Sequence, residues 1–274
     1  MLIILPLIAG ILLLAAIAVW LGSERAIHPQ PVEVLPEPSD YPGISEKLQT
    51  VFFSSRDKTA LTGWYLPGQS ASETGAGPAP TIILLHGYAS NKREMLPHAD
   101  MLSRNGYNLL LFDFRGQGES QDRAVTFSYL EREDVLGAVA YLKSQDRVDP
   151  GRIGVLGVSM GGAAAIAAAA ITEEIRAVAV EAAFSDLNGV ISRGFKLFVK
   201  LPAFPFANLI VWLTERRLGI KTSDIVPVEQ VLRIAPRPTL IMHGLLDKLV
   251  PYHNSERLFE AAGEPKDLWL IPDL

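Results

Sequence analysis

The apolar positions open with one unbroken run, Leu2 to Leu21, interrupted by a single Pro and a single Gly. About 20 helical residues span the hydrocarbon core of a bilayer. Residues 1–22 are therefore expected to form a single-pass transmembrane anchor, placing the protein at a membrane. A cleaved signal peptide is the alternative, with Ala16-Ile17-Ala18 as a cleavage site. Against it, no Lys or Arg precedes the run, which exceeds an apolar signal region of about 7–15 residues. A buried core helix would be expected to show a polar face. Glu24 and Arg25 follow together, too thin a bias to fix orientation.

Next come Pro29, Pro31, Pro36, Pro38 and Pro42. Proline fixes φ and removes backbone donors, so residues 23–43 are expected to be an extended linker lifting a folded domain, 44–274, off the membrane. Leu48–Ser54 and Thr59–Leu66 predict two strands joined at Arg56-Asp57-Lys58. Gln69–Pro80 predicts a loop.

From Thr81 onward, short apolar runs alternate with helical segments. Thr81–Leu85, Asn108–Asp113, Arg152–Leu156, Arg176–Glu181, Pro238–Met242 and Asp267–Ile271 are apolar on both faces, the pattern of parallel strands covered on two sides. Lys92–Arg104, Tyr129–Ser144, Met160–Ile171 and Asn254–Ala262 predict helices. The class is α/β, with a mostly parallel, doubly wound sheet. Residues 186–234 break the alternation. They hold Phe195, Phe198, Phe204, Phe206 and Trp212, while Pro202 and Pro205 prevent one continuous helix. The insertion is expected to be a helical cap over the carboxyl ends of the strands; helices packed on the core are the alternative.

Composition narrows the chemistry. With 49% apolar and 20% charged residues the body is foldable as one domain. A net charge of −5 without a basic block argues against a nucleic-acid partner. Cysteine is absent, which excludes disulfides, Cys-based zinc sites and a thiol nucleophile.

Gly157-Val158-Ser159-Met160-Gly161-Gly162 follows an apolar strand and precedes the Ala-rich stretch Ala163–Ala170. That is the strand, sharp turn and helix of a G-x-S-x-G nucleophile elbow. His86-Gly87-Tyr88 directly follows a strand. The backbone N–H groups of Tyr88 and Met160 are the candidate oxyanion-hole donors, and His86 is expected to bond within its loop. His243 through Asp247 to Pro251 closes another strand. Asp247 is the candidate carboxylate for orienting an imidazole, and Asp186 is expected to cap a helix at Leu187.

These motifs, together with Asp113-Phe114-Arg115-Gly116-Gln117-Gly118-Glu119-Ser120, resemble the α/β-hydrolase superfamily from about Leu48 onward. The likeness is to membrane-anchored serine hydrolases of the esterase, lipase and serine-aminopeptidase kind. It implies that Ser159 attacks an ester or amide carbonyl, with Asp113 and Arg115 bracing loops. No metal or organic cofactor is implied. The substrate expected under an apolar cap is a small or lipid-like acyl compound. The resemblance also implies a histidine and a closing helix after the last strand, but Asp267–Ile271 is followed only by Pro272-Asp273-Leu274. His28, His86, His98, His243 and His253 lie elsewhere; His253 is expected at the surface. Two readings remain. One is a truncated form of an active enzyme with its histidine just past Leu274, which the intact elbow and Asp247 favour. The other is a catalytically inactive membrane-bound pseudohydrolase acting as a binding protein. Either way, one sheet face is expected to be partly bare.

Overall fold

All eight expected strands lie in one sheet. The computed structural model describes residues 4–30, 34–68, 78–121, 123–194 and 205–273. The strands are β1 (Gln49–Ser54), β2 (Ala60–Leu66), β3 (Ala79–Leu85), β4 (Asn108–Phe112), β5 (Val148–Val158), β6 (Ile175–Glu181), β7 (Thr239–Gly244) and β8 (Lys266–Ile271). Their order is β1-β2-β4-β3-β5-β6-β7-β8. β1 and β2 pair antiparallel, as do β2 and β4. Every pair from β4 through β8 is parallel, with Leu84 opposite Leu111 and Leu156. The carboxyl ends of β3, β5, β6 and β7 therefore share one edge, the place where open α/β sheets put their ligands.

Long helices are α1 (Ile4–Ile27), α2 (Leu96–Ser103), α3 (Glu131–Lys143), α4 (Met160–Ala169), α5 (Leu187–Gly194), α6 (Phe206–Leu218) and α7 (His253–Ala261). One core lies on the α3 and α4 face, where Ile83, Leu110, Val139, Ile166 and Ile241 are fully buried. A second lies under α2, around Leu84, Met95, Leu96 and Leu111. Burying one such side chain is worth about 1.5–3 kcal/mol. Apolar residues on both faces of β3 and β4 are what two cores demand.

Several expectations change in detail. The helix expected over Lys92–Arg104 is a 3-10 turn, Lys92–Met95, and then α2, with Pro97 in its first turn. β5 starts at Val148, four residues early, running through Pro150 and Gly151. Ala79 and Pro80 belong to β3 rather than to the loop; residues 69–77 of that loop lie outside the described residues. Burial alternates in β8, and Trp269 and Ile271 face outward at 57% and 39% exposure, so a bare sheet face does appear there among the described residues.

The N-terminal region departs most. α1 is long and apolar enough to cross a membrane, a test that a signal sequence near the N-terminus passes equally. The helix runs on to Ile27, into the first residues of the expected extended linker. The expected extended linker holds a 3-10 turn at Pro38–Asp40 and a short helix at Pro42–Ser45; residues 31–33 lie outside the described residues. Nor does it lift the domain clear of α1. Val125 N–H donates to Ile27 O at 2.8 Å, and α1 packs on α6. Within 186–234, residues 195–204, with Phe195, Phe198 and Phe204, lie outside the described residues. Leu187, Ile220 and Ile225 pack with Val250 at the carboxyl end of the sheet. Val231 and Ile234, in contrast, join the main core, so the insertion's last stretch is not cap.

Candidate active site

Ser159 stands between β5 and α4 at φ 53° and ψ −114°. A non-glycine residue in such a region stores about 1–3 kcal/mol. Packing enforces it. A Cβ on Gly157 would lie 2.4 Å from the Gly161 carbonyl carbon, and one on Gly161 would lie 2.5 Å from the carbonyl oxygens of Leu85 and His86. The backbone is locked from the neighbouring strand by Ser159 N–H donating to Glu181 O at 2.8 Å. The side chain is partly exposed, and its hydroxyl makes no hydrogen bond among the described residues.

The loop after β3 lies alongside. A Cβ on Gly87 would sit 3.7 Å from Ser159 Cβ. Glu94 accepts the Gly87 N–H at 2.7 Å, fixing that peptide plane. Among the described residues the backbone N–H groups of Tyr88 and Met160 donate to nothing. Met160 opens α4, whose N-terminus favours negative charge. The Tyr88 ring stacks on Phe127 at 5.3 Å between centroids. Its hydroxyl donates to the carbonyls of Ala26 (2.9 Å) and Arg25 (3.2 Å) at the end of α1.

Asp247 follows β7, two strands from β5, or about 10 Å across the sheet. Its Oδ1 accepts the N–H groups of Leu249 (2.8 Å) and Val250 (2.9 Å), and its Oδ2 lies 3.6 Å from His243 Nε2. Burial alone would raise this carboxyl. The contact with His243 and the two amides outweigh it and hold the carboxyl below its ordinary value.

His86 is buried, its Nδ1 against Gly87 O at 2.7 Å and its Nε2 accepting from Phe114 N–H at 3.1 Å. Burial pushes its pKa down, so it is a neutral brace with no nitrogen to spare, as expected. His243 is likewise committed, to Ser255 Oγ and Val250 O, both at 2.6 Å. His253 pairs with Glu256 at the surface. His98 Nε2 meets Glu181 Oε2 at 3.0 Å, while its buried Nδ1 has no partner among the described residues. His28 sits just past α1, 3.8 Å from Glu24. The structure thus brings Ser159, Tyr88 and Met160 together, and sets Asp247 along the same edge. It seats none of His86, His98, His243 and His253 in hydrogen-bond contact with the Ser159 hydroxyl.

Asp186 caps α5 through Gly189 N–H at 2.8 Å. Asp113 is fully buried, accepting the backbone N–H of Lys92 and Glu119 and the Lys92 ammonium, each within 2.8 Å. Arg115 forks between Asp57 and Asp134. All three are scaffold. A cleft of about 410 Å³ beside these loops is lined by Trp64, Lys92, Asp113 and Gln117; neither Ser159 nor Asp247 is in its wall. No group of three or more His, Asp or Glu side chains among the described residues could hold a metal ion.

Sequence reasoning missed Glu94 and Phe127. No motif marks Glu94, which reaches Gly87 only because the 3-10 turn folds back. Phe127 has φ 55° in an irregular loop, where periodicity gives no signal.

Comparison with known proteins agrees with this architecture. The uncharacterized protein YfhR of Escherichia coli O157:H7 is 28% identical over 270 residues, covering 98% of this chain and 86% of that protein. Uncharacterized protein Rv2307c of Mycobacterium tuberculosis is 29% identical over 274 residues, with the same coverage. Among solved structures, the Pyrococcus furiosus esterase Pf2001 superposes with a TM-score of 0.69 at 27% identity, covering 89% of this chain and 90% of that one. The Pyrococcus horikoshii acylaminoacyl peptidase shares the fold, with a TM-score of 0.61 at 21% identity over 83% of this chain and 37% of that one. Residues 97–267 match the prolyl oligopeptidase family, Peptidase_S9. With the eight-stranded sheet and the strand–turn–helix at residue 159, that match places the chain in the prolyl oligopeptidase family of α/β-hydrolases.

Proposed function

We propose that the protein is a membrane-anchored serine hydrolase that cleaves an ester or amide bond of a hydrophobic acyl substrate. The observation that carries this is the Ser159 hydroxyl, held at a strained bend with the N–H groups of Tyr88 and Met160, which have no partner among the described residues, beside it. Ser159 Oγ attacks the acyl carbonyl and gives its proton to an imidazole of the kind that the family resemblance implies, a role that His86, His98, His243 and His253 do not fill where the structure places them. The carbonyl oxygen becomes an oxyanion and accepts from both amides. Collapse expels the alcohol or amine, which takes the proton back, and leaves an acyl-serine. Water, deprotonated by the same imidazole, then releases the acid. Asp247, held ionised, orients the imidazole and stabilises it when protonated. The likeness to an esterase at 27% identity supports ester cleavage, and membership of a peptidase family supports amide cleavage. The apolar length of α1 supports the anchor.

A second reading, a binding protein on the same fold, draws on one observation: His86 and His243 are fully committed elsewhere. A fluorophosphonate probe separates the two. Serine displaces fluoride from phosphorus only when its hydroxyl is activated. The protein isolated from the cells that make it is expected to be labelled, and Ser159→Ala to abolish labelling. An unlabelled native protein would favour the binding reading.

A further inference from the structure

Helix α6 turns apolar side chains outward. Ala207 and Thr214 are its buried residues, while Leu209 and Trp212 are 43% and 53% exposed, three residues apart on one face. Arg216 continues that face, its guanidinium 5.5 Å from the centre of the Trp212 ring. Together they make a small apolar patch with a cationic edge on the outer face of the helix.

The neighbour of α6 supplies the reason. The helix is seated on the C-terminal part of α1. Thr214 Oγ1 donates to Ser23 Oγ at 3.0 Å, and Arg217 reaches both Ser23 and Glu24. A Cβ on Gly22 would fall 2.6 Å from Ile210 Cδ1, so the two helices touch there. Arg217 also lies over the Trp20 ring at 5.9 Å, matching the Arg216–Trp212 pair. The apolar stretch of α1 ends at Leu21, and Trp20 stands at its boundary, 52% exposed. Tryptophan gathers where a membrane span meets the headgroups. A helix packed against residues 20–24 is therefore level with the headgroups.

We propose that α6 is a second membrane-contacting element, whose Leu209–Trp212–Arg216 face lies in the interfacial layer of a phospholipid bilayer beside α1. The inference rests on reading α1 as a membrane span. Leucine and tryptophan suit the acyl boundary, and a guanidinium suits the phosphates above it. Local charge agrees. Arg216 lies on the face itself and Arg25 in the last turn of α1, whereas Glu24 is paired with Arg217 and Glu215 is occupied by Thr222. The docking also sets the carboxyl edge of the sheet close to lipid, because Tyr88 bonds the last turn of the same α1. The substrate class that follows is a lipid acyl compound taken from the interface.

The chain has no cysteine, so single substitutions give unique labelling sites. Leu209→Cys, Trp212→Cys, Leu12→Cys and Met101→Cys, each spin-labelled in the full chain in phosphatidylcholine–phosphatidylglycerol vesicles, report depth by collision with oxygen against a water-soluble nickel chelate. Leu12 reports on α1. Met101, an exposed apolar residue on α2, is the aqueous control. Positions 209 and 212 are expected to shift toward oxygen and away from the chelate, between the values at 12 and 101. The proposal is overturned if position 12 reads as hydrocarbon while both 209 and 212 match 101. If position 12 itself reads as aqueous, the span reading has failed and takes the proposal with it, a result that this one site tells apart.

Discussion

At the scale of single residues, the bend at Ser159 is held by what is missing around it. Gly161 has no room for a methyl group, because the obstacles are the backbone oxygens of Leu85 and His86 rather than a flexible side-chain tip. Gly161→Ala must push β3 and the His86 loop away from α4. Overpacking of this kind costs about 1–3 kcal/mol, so thermal unfolding is expected to shift down and probe labelling of Ser159 to fall with it. Glu94 acts more locally. Glu94→Ala leaves the Gly87 N–H without its acceptor and loosens the His86–Gly87 peptide, one step ahead of the peptide that carries the Tyr88 N–H. Removing a whole oxyanion donor costs about 100- to 1,000-fold in rate. Slower labelling within that ceiling is expected for Glu94→Ala, with Glu94→Gln, which keeps an acceptor, closer to wild type. Labelling rates equal to wild type in Glu94→Ala would show that the carboxylate does not position the loop. The bend was legible in the sequence because its steric logic is local: glycines two residues either side of a serine. Glu94 was not, since its partner is set by a change of helix type.

At the scale of elements, periodicity gave the sheet and missed its edges. Strands with apolar residues on both faces announce themselves, as β3 and β4 do. A boundary such as the start of β5 at Val148 depends on a neighbour: Ala79 N–H donates to Arg147 O across the sheet. Salt-bridge networks joining elements are equally invisible. Arg115 ties the turn between β1 and β2, through Asp57, to α3, through Asp134. Asp134 is fully buried, so Arg115→Met strands a carboxylate in the core. Breaking one side of a buried pair costs about 3–5 kcal/mol; denaturant unfolding is expected to show that loss, with Asp134→Asn recovering part of it. Arg115 also holds the Asp57 carboxyl well below the usual carboxylate range. A lowered folded-state pKa stabilises above the ordinary value and is lost as pH falls through the folded one. Stability should therefore fall on acidification below about pH 4, and Asp57→Asn should flatten that limb. An unchanged acid limb in Asp57→Asn would mean that Asp57 does not contribute to acid sensitivity.

At the scale of the whole molecule, the sequence separated what the structure joins. Five prolines predicted a spacer between anchor and domain, yet the end of α1 is gripped by Tyr88, by Val125 N–H and by α6. These grips use helix-end carbonyls and a buried hydroxyl pair from residues far apart in the chain, so no local pattern could reveal them. The Ser23–Thr214 bond is the sharpest probe of this union, because both residues are buried. Ser23→Ala leaves the Thr214 hydroxyl unpaired, and Thr214→Val deprives Ser23 of its donor while Arg217 remains. An orphaned buried hydroxyl costs about 1–3 kcal/mol, whereas removing both partners is close to neutral. Ser23→Ala is expected to speed amide hydrogen exchange in α6, Thr214→Val to do so less, and the double variant Ser23→Ala/Thr214→Val to restore much of the protection that Ser23→Ala loses. Strictly additive losses would mean that the two hydroxyls do not meet. Protection in α6 that ignores all three variants would mean that α6 holds its place without α1, and that α1 and the folded domain are independent bodies.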